Sequence, residues 1–286
     1  MKKYLSLVTF SHTIFALPFA LIGFFLAFVI EDTTFSIVKL GLILLCMVFA
    51  RSAAMAFNRY LDRDIDLKNP RTATREIPSG MITPKNALIF TFANCMLFII
   101  CTYFINWICF LLSPIALLVV LGYSYTKRFT YLCHFVLGTG LALAPVGAYL
   151  AVTGHFHILP ILYGFLVLTW VSGFDIMYAL QDEEFDKKES LYSIPVKLGA
   201  KDAMNLSIFL HIISALLIIY ISFDLNKYII NPFFHWVGAL IFIGLLIYQH
   251  TLVKPNDLSK INRAFFTTNG LASLLYATFV ITDIIY

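Results

Sequence analysis

Residues 36–80 read SIVKLGLILLCMVFARSAAMAFNRYLDRDIDLKNPRTATREIPSG. Positions 36–57 are almost wholly apolar, and the stretch that follows carries three aspartates and five basic side chains. An α-helix rises about 1.5 Å per residue, so about 20 apolar residues cross a hydrocarbon core about 30 Å thick. The junction at Asn58 therefore reads as a membrane-spanning helix running out of the bilayer with its charge. The whole chain is written in this manner. Of its 286 residues 60% are hydrophobic and 13% charged, and the mean hydropathy is +0.86. That composition belongs to polytopic membrane proteins and excludes an ordinary soluble domain.

Apolar runs of spanning length lie near residues 11–30, 36–57, 86–105, 107–125, 132–152, 158–181, 204–223, 232–250 and 264–285. The sequence thus predicts an all-α polytopic protein of nine transmembrane helices, a single domain over residues 1–286. The division between the third and fourth runs rests on Asn106 and Trp107 alone, and fusing them would leave eight spans. Charge arbitrates. With nine spans, 17 of the 20 Lys and Arg residues fall in the N-terminus and alternate loops. The opposite loops hold only Lys227, with Lys39 near the start of the second span. The positive-inside rule then places the N-terminus in the cytoplasm and the C-terminus outside, in a multi-pass protein of the cytoplasmic (inner) membrane. The net charge of +4 reports this orientation, and no basic stripe with interleaved aromatics suggests nucleic acid. The opening MKK and its apolar run reach Phe28 without a small-residue cleavage site, so the first span is expected to stay. Cys46, Cys95, Cys101, Cys109 and Cys133 all fall within spans without metal-ligand spacing and read as core-filling thiols.

Asn58, Asp62 and Asp66 stand four apart, so each side chain turns only about 40° round the helix from the last. The spacing recurs beyond the sixth span, in DIMYALQDEEFDKKESLYSIPVKLG, at Asp182 and Asp186, with Asp175 and Tyr178 further up the helix. Carboxylates spaced in this way repel unless a positive charge sits between them. Oxygen ligands without His or Cys suit Mg²⁺, which is commonly completed by water and substrate phosphates. A phosphate ester is the matching partner, and Arg71, Arg75, Lys127 and Arg128, on the same side, suit its remaining oxygens. The charges would hold a polar head group at the surface while the apolar helices hold a lipid tail. Arg51 lies seven residues before Asn58, two turns up on the same face. It is a candidate for binding an anionic acceptor, or equally an arginine satisfied by helix carbonyls or snorkelling.

These motifs resemble the UbiA superfamily of intramembrane prenyltransferases. Its first motif, Asn-x-x-x-Asp-x-x-x-Asp followed by Arg-Thr, is matched by Asn58, Asp62, Asp66, Arg71 and Thr72, and its second by Asp182 and Asp186. The resemblance implies a UbiA-like bundle with cytoplasmic motif loops and Mg²⁺ held by the aspartates. It also implies transfer of a polyprenyl group from polyprenyl diphosphate to an aromatic acceptor. Asp62, Asp66, Asp182 and Asp186 would then be catalytic, with Asn58 among the metal ligands. From their positions on the helices, Arg51 and Tyr178 are the candidates for binding the acceptor, although Tyr178 and Asp175 equally suit a helix-packing hydrogen bond between spans. YSYTKRFTYLCHFVLG and the second-motif segment look most like the 4-hydroxybenzoate polyprenyltransferases of quinone biosynthesis. Two features depart from that group. The first helix reads SHTIFALPFALIG, with His12 where an Arg is usual, and Arg75-Glu76 replaces Arg-Pro. Both resemble a branch linked to menaquinone through the futalosine route, so a futalosine-type or naphthoate acceptor is the alternative. Haem farnesylation and transfer to a sugar phosphate are further alternatives.

Other residues have plainer readings. Asp64 lies on another face and reads as a surface ion pair, and Lys187 and Lys188 read as topological charge. His12 reads as a buried polar contact. The rival of another class is a secondary transporter. Transporters commonly show two similar halves with broken helices at mid-membrane depth, whereas these carboxylates cluster at one surface.

Overall fold

The computed structural model describes residues 4, 6, 7, 15–230 and 232–286. His12 and part of the first expected span lie outside the described residues. Helix α1, Leu17–Glu31, carries Pro18 in its first turn, where a missing N–H costs nothing, and stops at Asp32 in a left-handed conformation, φ 49°. Helix α2, Ile37–Lys68, is capped by Ser36, whose hydroxyl accepts the Lys39 N–H at 3.3 Å. At 32 residues it is about 48 Å long, more than a bilayer core needs, so its charged last three turns project beyond the hydrocarbon.

Helices α3, Pro84–Ile105, and α4, Trp107–Thr126, are separate. Asn106 between them is fully extended, φ −167° and ψ 166°. Its carboxamide oxygen accepts the Cys109 N–H at 2.8 Å, and its amide donates to the Leu150 and Ala151 carbonyls at 2.9 and 3.2 Å. One side chain therefore starts α4 and closes the last turn of α5, Cys133–Thr153. Helix α6, Ile158–Ala179, continues through a short 3-10 turn, Leu180–Asp182, into α7, Glu183–Lys188. Then follow α8, Ile194–Leu198, α9, Ala200–Leu225, and α10, Phe234–Leu252. A π-turn over Arg263–Thr268 leads into α11, Asn269–Ile285. Among the described residues, eight helical runs are long and apolar enough to cross a membrane, and α1 is a shorter apolar helix.

Close approach of the helices depends on glycine, most clearly where backbone meets backbone. A Cβ on Gly23 would lie 2.1 Å from the Pro145 carbonyl oxygen, and one on Gly138 would lie 2.7 Å from that of Leu168. Helices α1 and α6 can therefore both lie tight against α5. The core beside them is aromatic: Trp170 is fully buried among Phe19, Phe174 and Phe242. Its indole N–H donates to the Asn269 side-chain oxygen at 2.9 Å. Asn269 in turn donates to the Ala264 and Phe265 carbonyls at 3.0 and 3.1 Å, within the π-turn. A backbone group left unpaired in hydrocarbon costs several kcal/mol, and this amide removes that cost. Leu88, Phe92, Ile115 and Leu118 point outward, as lipid-facing positions require.

Candidate functional site

The charged end of α2 forms one wall of the site. Asp62 and Asp66 share its inner face and are only 2% and 4% exposed. Two buried carboxylates four residues apart are tolerable only if each meets a cation. Both do. Lys127 and Arg128, at the end of α4, donate to the two Asp62 oxygens at 2.6 and 2.9 Å. The Asn58 amide donates to Asp62 at 3.2 Å and to the Ser124 hydroxyl at 3.4 Å. Beyond Lys68 the chain turns back under the helix. Thr72 donates to the Asp66 carbonyl at 3.0 Å and the Asn69 side-chain oxygen accepts the Arg71 N–H at 3.0 Å. This fold-back carries Arg75 to Asp66, where its guanidinium donates to one oxygen at 2.7 Å. The other, Asp66 Oδ2, is buried with no hydrogen-bond partner among the described residues.

The second aspartate pair stands opposite, on the less regular segment after α6. Arg71 grips Asp182 with two nitrogens, at 3.1 and 2.5 Å, and Asn69 donates to the same carboxylate at 3.2 Å. Asp186 lies near Asp182, Lys127 and Ser193. Lys68 pairs with Glu189 at 2.5 Å, joining the end of α2 to the segment beyond α7. The two motifs, 116 positions apart between Asp66 and Asp182, therefore face each other across a layer of arginine and lysine. All four bases expected at phosphate oxygens, Arg71, Arg75, Lys127 and Arg128, are paired with motif carboxylates. Among the described residues no three Asp, Glu, His or Cys side chains converge on one point.

Deeper in the bundle lies a cavity of about 260 Å³ between α2, α4 and α5. Its wall is largely apolar, with Thr102 and Ser113 along it and Arg51 and Tyr123 at one end, and it follows α4 from Tyr123 to Cys109, about 21 Å of helix. Arg51 Nε is buried without a hydrogen-bond partner among the described residues. Tyr123 was not among the expected site residues. Its signal was present, four positions before Lys127 and hence on the same face of α4. Tyr178, expected beside Arg51, does not line this cavity among the described residues. Its ring lies beneath the Arg71 guanidinium, 5.7 Å away, and packs on Phe265 at 4.1 Å. Asp175 is held by His134 at 2.7 Å, which makes it a contact between α5 and α6. Asp64 is exposed and paired with Arg63 at 3.5 Å, and Lys187 pairs with Glu183 at 2.6 Å. Cys46 and Cys109 line the cavity as free thiols.

Residues 16–271 match the sequence profile of the UbiA prenyltransferase family. The chain belongs to that family. Curated relatives include the 4-hydroxybenzoate octaprenyltransferase of Aliivibrio fischeri (strain MJ11), 30% identical over 80% of this chain and 78% of that protein. The enzyme of the same name from Vesicomyosocius okutanii is 31% identical over 82% of this chain and 85% of its own length. Among solved structures, the apo UbiA homolog from Aeropyrum pernix K1 superposes with a TM-score of 0.82 at 29% identity, covering 95% of this chain and 98% of that one. The UbiA homolog from Archaeoglobus fulgidus bound to GPP and Mg²⁺ shares the fold, with a TM-score of 0.76 at 22% identity and 99% of this chain covered, 100% of that one. This UbiA protein is thus a multi-pass membrane prenyltransferase, and the transporter alternative gives way to an enzyme.

Proposed function

We propose that the protein transfers a polyprenyl group from polyprenyl diphosphate to a small aromatic acceptor bearing a carboxylate, 4-hydroxybenzoate or a close relative, in quinone biosynthesis. The observation that carries this reading is the pairing of the motif aspartates with Arg71, Arg75, Lys127 and Arg128, next to an apolar cavity with Arg51 at its polar end. Such a site presents cations to phosphate oxygens and carboxylates to a divalent metal as soon as its internal pairs open. Asn58, Asp62 and Asp66 on one side and Asp182 and Asp186 on the other are an all-oxygen donor set suited to Mg²⁺. The orphaned Asp66 Oδ2 fits that use, since a buried carboxylate oxygen without a partner costs free energy until something positive reaches it. When bound, Mg²⁺ would neutralise charge on the departing diphosphate.

The remaining chemistry belongs to the chain. Arg71 and Arg75 present planar forks to phosphate oxygens, and Lys127 and Arg128 add charge from the end of α4. The cavity takes the apolar tail and keeps water from the allylic carbon as its C–O bond breaks. Arg51, with Tyr123 beside it, holds the acceptor by its carboxylate so that a ring carbon meets the allylic carbon. A C–C bond forms and the ring gives up a proton. The bilayer supplies the lipid substrate, and the bacterial relatives support placement in the inner membrane.

The test is direct. Purified protein in lipid nanodiscs receives Mg²⁺, a polyprenyl diphosphate and separate acceptors: 4-hydroxybenzoate, a dihydroxynaphthoate and a futalosine-derived acid. Mass spectrometry identifies the product. Prenylated 4-hydroxybenzoate is expected. Product from a naphthoate or futalosine-type acid alone would assign the acceptor to the menaquinone side, as the Arg75-Glu76 departure suggests.

A further inference from the structure

Two charged residues that neither motif accounts for are buried beside the site. Arg59 lies seven residues before Asp66, two turns away on one face of α2, and its side chain is only 11% exposed. Glu76 follows Arg75 directly, and its side chain is 10% exposed. They approach to 3.9 Å, yet Arg59 Nε and Glu76 Oε2 have no hydrogen-bond partner among the described residues. The other Glu76 oxygen accepts the Ser6 hydroxyl, and its backbone carbonyl accepts the Ile82 N–H at 2.9 Å and the Ser79 hydroxyl at 3.4 Å. Around this knot Leu7, Ala56, Ile77, Ile82 and Ala87 form a small apolar cluster, and Tyr4 stacks on Phe90 at 4.9 Å. The start of the chain, the 69–83 loop and α3 are thus fastened at one point.

We propose that Arg59 and Glu76 are a positioning pair that fixes the 69–83 loop so that Arg71 and Arg75 are aimed at the diphosphate site. The inference rests on the prenyl-transfer reading for its kinetic consequence but not for its structural one. Glu76 is a buried carboxylate next in sequence to Arg75 and could compete for that guanidinium. Arg59 answers the Glu76 charge and leaves Arg75 free to reach Asp66, 2.7 Å away. Breaking a buried ion pair by removing one member leaves an uncompensated charge, whereas replacing both by apolar groups of similar size is far less costly. Single substitutions should therefore loosen the loop, and the double substitution should tighten it again.

Two measurements on the full-length protein in nanodiscs test this. Trypsin cleavage after Arg71 and Arg75 reports how firmly the loop is held. Glu76→Ala and Arg59→Met should each be cut about tenfold faster than wild type, and Arg59→Met/Glu76→Met should return close to the wild-type rate. Where Glu76→Ala does not accumulate, Glu76→Gln removes the charge while keeping an acceptor for Ser6. In steady-state transfer the single variants should raise the KM for prenyl diphosphate about tenfold while kcat and the acceptor KM stay within about twofold. Unchanged cleavage in both single variants overturns the proposal. A raised diphosphate KM with unchanged cleavage also overturns it, because Arg59 would then touch the substrate itself. Should wild type transfer no prenyl group to any acceptor, the functional reading falls while the cleavage experiment still decides the positioning role.

Discussion

The two aspartate clusters face one another but are built differently. Asp62 and Asp66 ride on a continuous 32-residue helix, with side chains 2% and 5% exposed. Asp182 sits where α6 gives way to a 3-10 turn and a six-residue helix, and its side chain is 20% exposed. Two bases from the end of α4 hold Asp62, while Asp182 is held by Arg71 from a loop. The first cluster thus stands on one continuous helix, with Asp62 held from the end of α4 and Asp66 held by Arg75 from the loop, and the second stands on a turn, a six-residue helix and a loop. A site that must open its own ion pairs for a substrate would keep one wall fixed and let the other adjust.

The largest effects should fall on the fixed wall. Asp62→Asn should lower kcat about a thousandfold, as should EDTA, since either removes the means of neutralising the leaving diphosphate. Asp182→Asn should lose about a hundredfold, because Asp186 remains close by. Equal losses at both positions would end the comparison. Stability should separate them further. Asp62→Asn leaves Lys127 and Arg128 facing a neutral group and should lower the melting midpoint by about 5 °C. Asp182→Asn, in a partly exposed pair, should shift it by no more than about 2 °C.

Away from both walls, Arg51→Leu should reduce kcat/KM for the acceptor by about ten- to a hundredfold, the worth of one charge-assisted hydrogen bond, and leave the diphosphate KM unchanged. Arg51→Lys should fall between, keeping charge without the planar fork. A rise in the diphosphate KM instead would move Arg51 into the phosphate site. The smallest effect belongs to Lys187→Ala, which breaks an exposed helical pair with Glu183 and should stay within about twofold of wild type in kcat and KM.

How much of this was legible in the sequence follows from what each residue does locally. Asn58, Asp62 and Asp66 were legible because a spacing of four on a helix fixes a shared face whatever the rest of the chain does. The split between α3 and α4 was legible through charge distribution, and Asn106 stands at the break. The pairing scheme was not. A lysine at the end of one span and an aspartate at the end of another carry no mark of contact until helix packing brings Lys127 to Asp62. Arg59 and Glu76 were hidden for another reason. In a segment dense with charge, a buried pair has the same composition as a solvated one, and only the cluster around Leu7 and Ile82 removes the water. The place of Tyr178 was not legible either, because helical spacing alone does not say whether its ring faces the cavity or Arg71.

Asn106 has a consequence far from its own position. Each crossing reverses the side on which a chain emerges, so every residue after Asn106 depends on a hairpin being turned there. A leucine at this position would remove the cap of α4 and the two amide bonds to α5, and would favour one uninterrupted helix through residues 84–126. The segment carrying Asp182 and Asp186 is then expected to emerge on the side of the membrane opposite Asp62 and Asp66. Helix α3 places Asn106 about 33 Å along the bundle from the charged loop at its start. Reporter fusions after Lys68 and after Lys188 in Asn106→Leu would then lie on opposite sides of the membrane, and on the same side in the wild type.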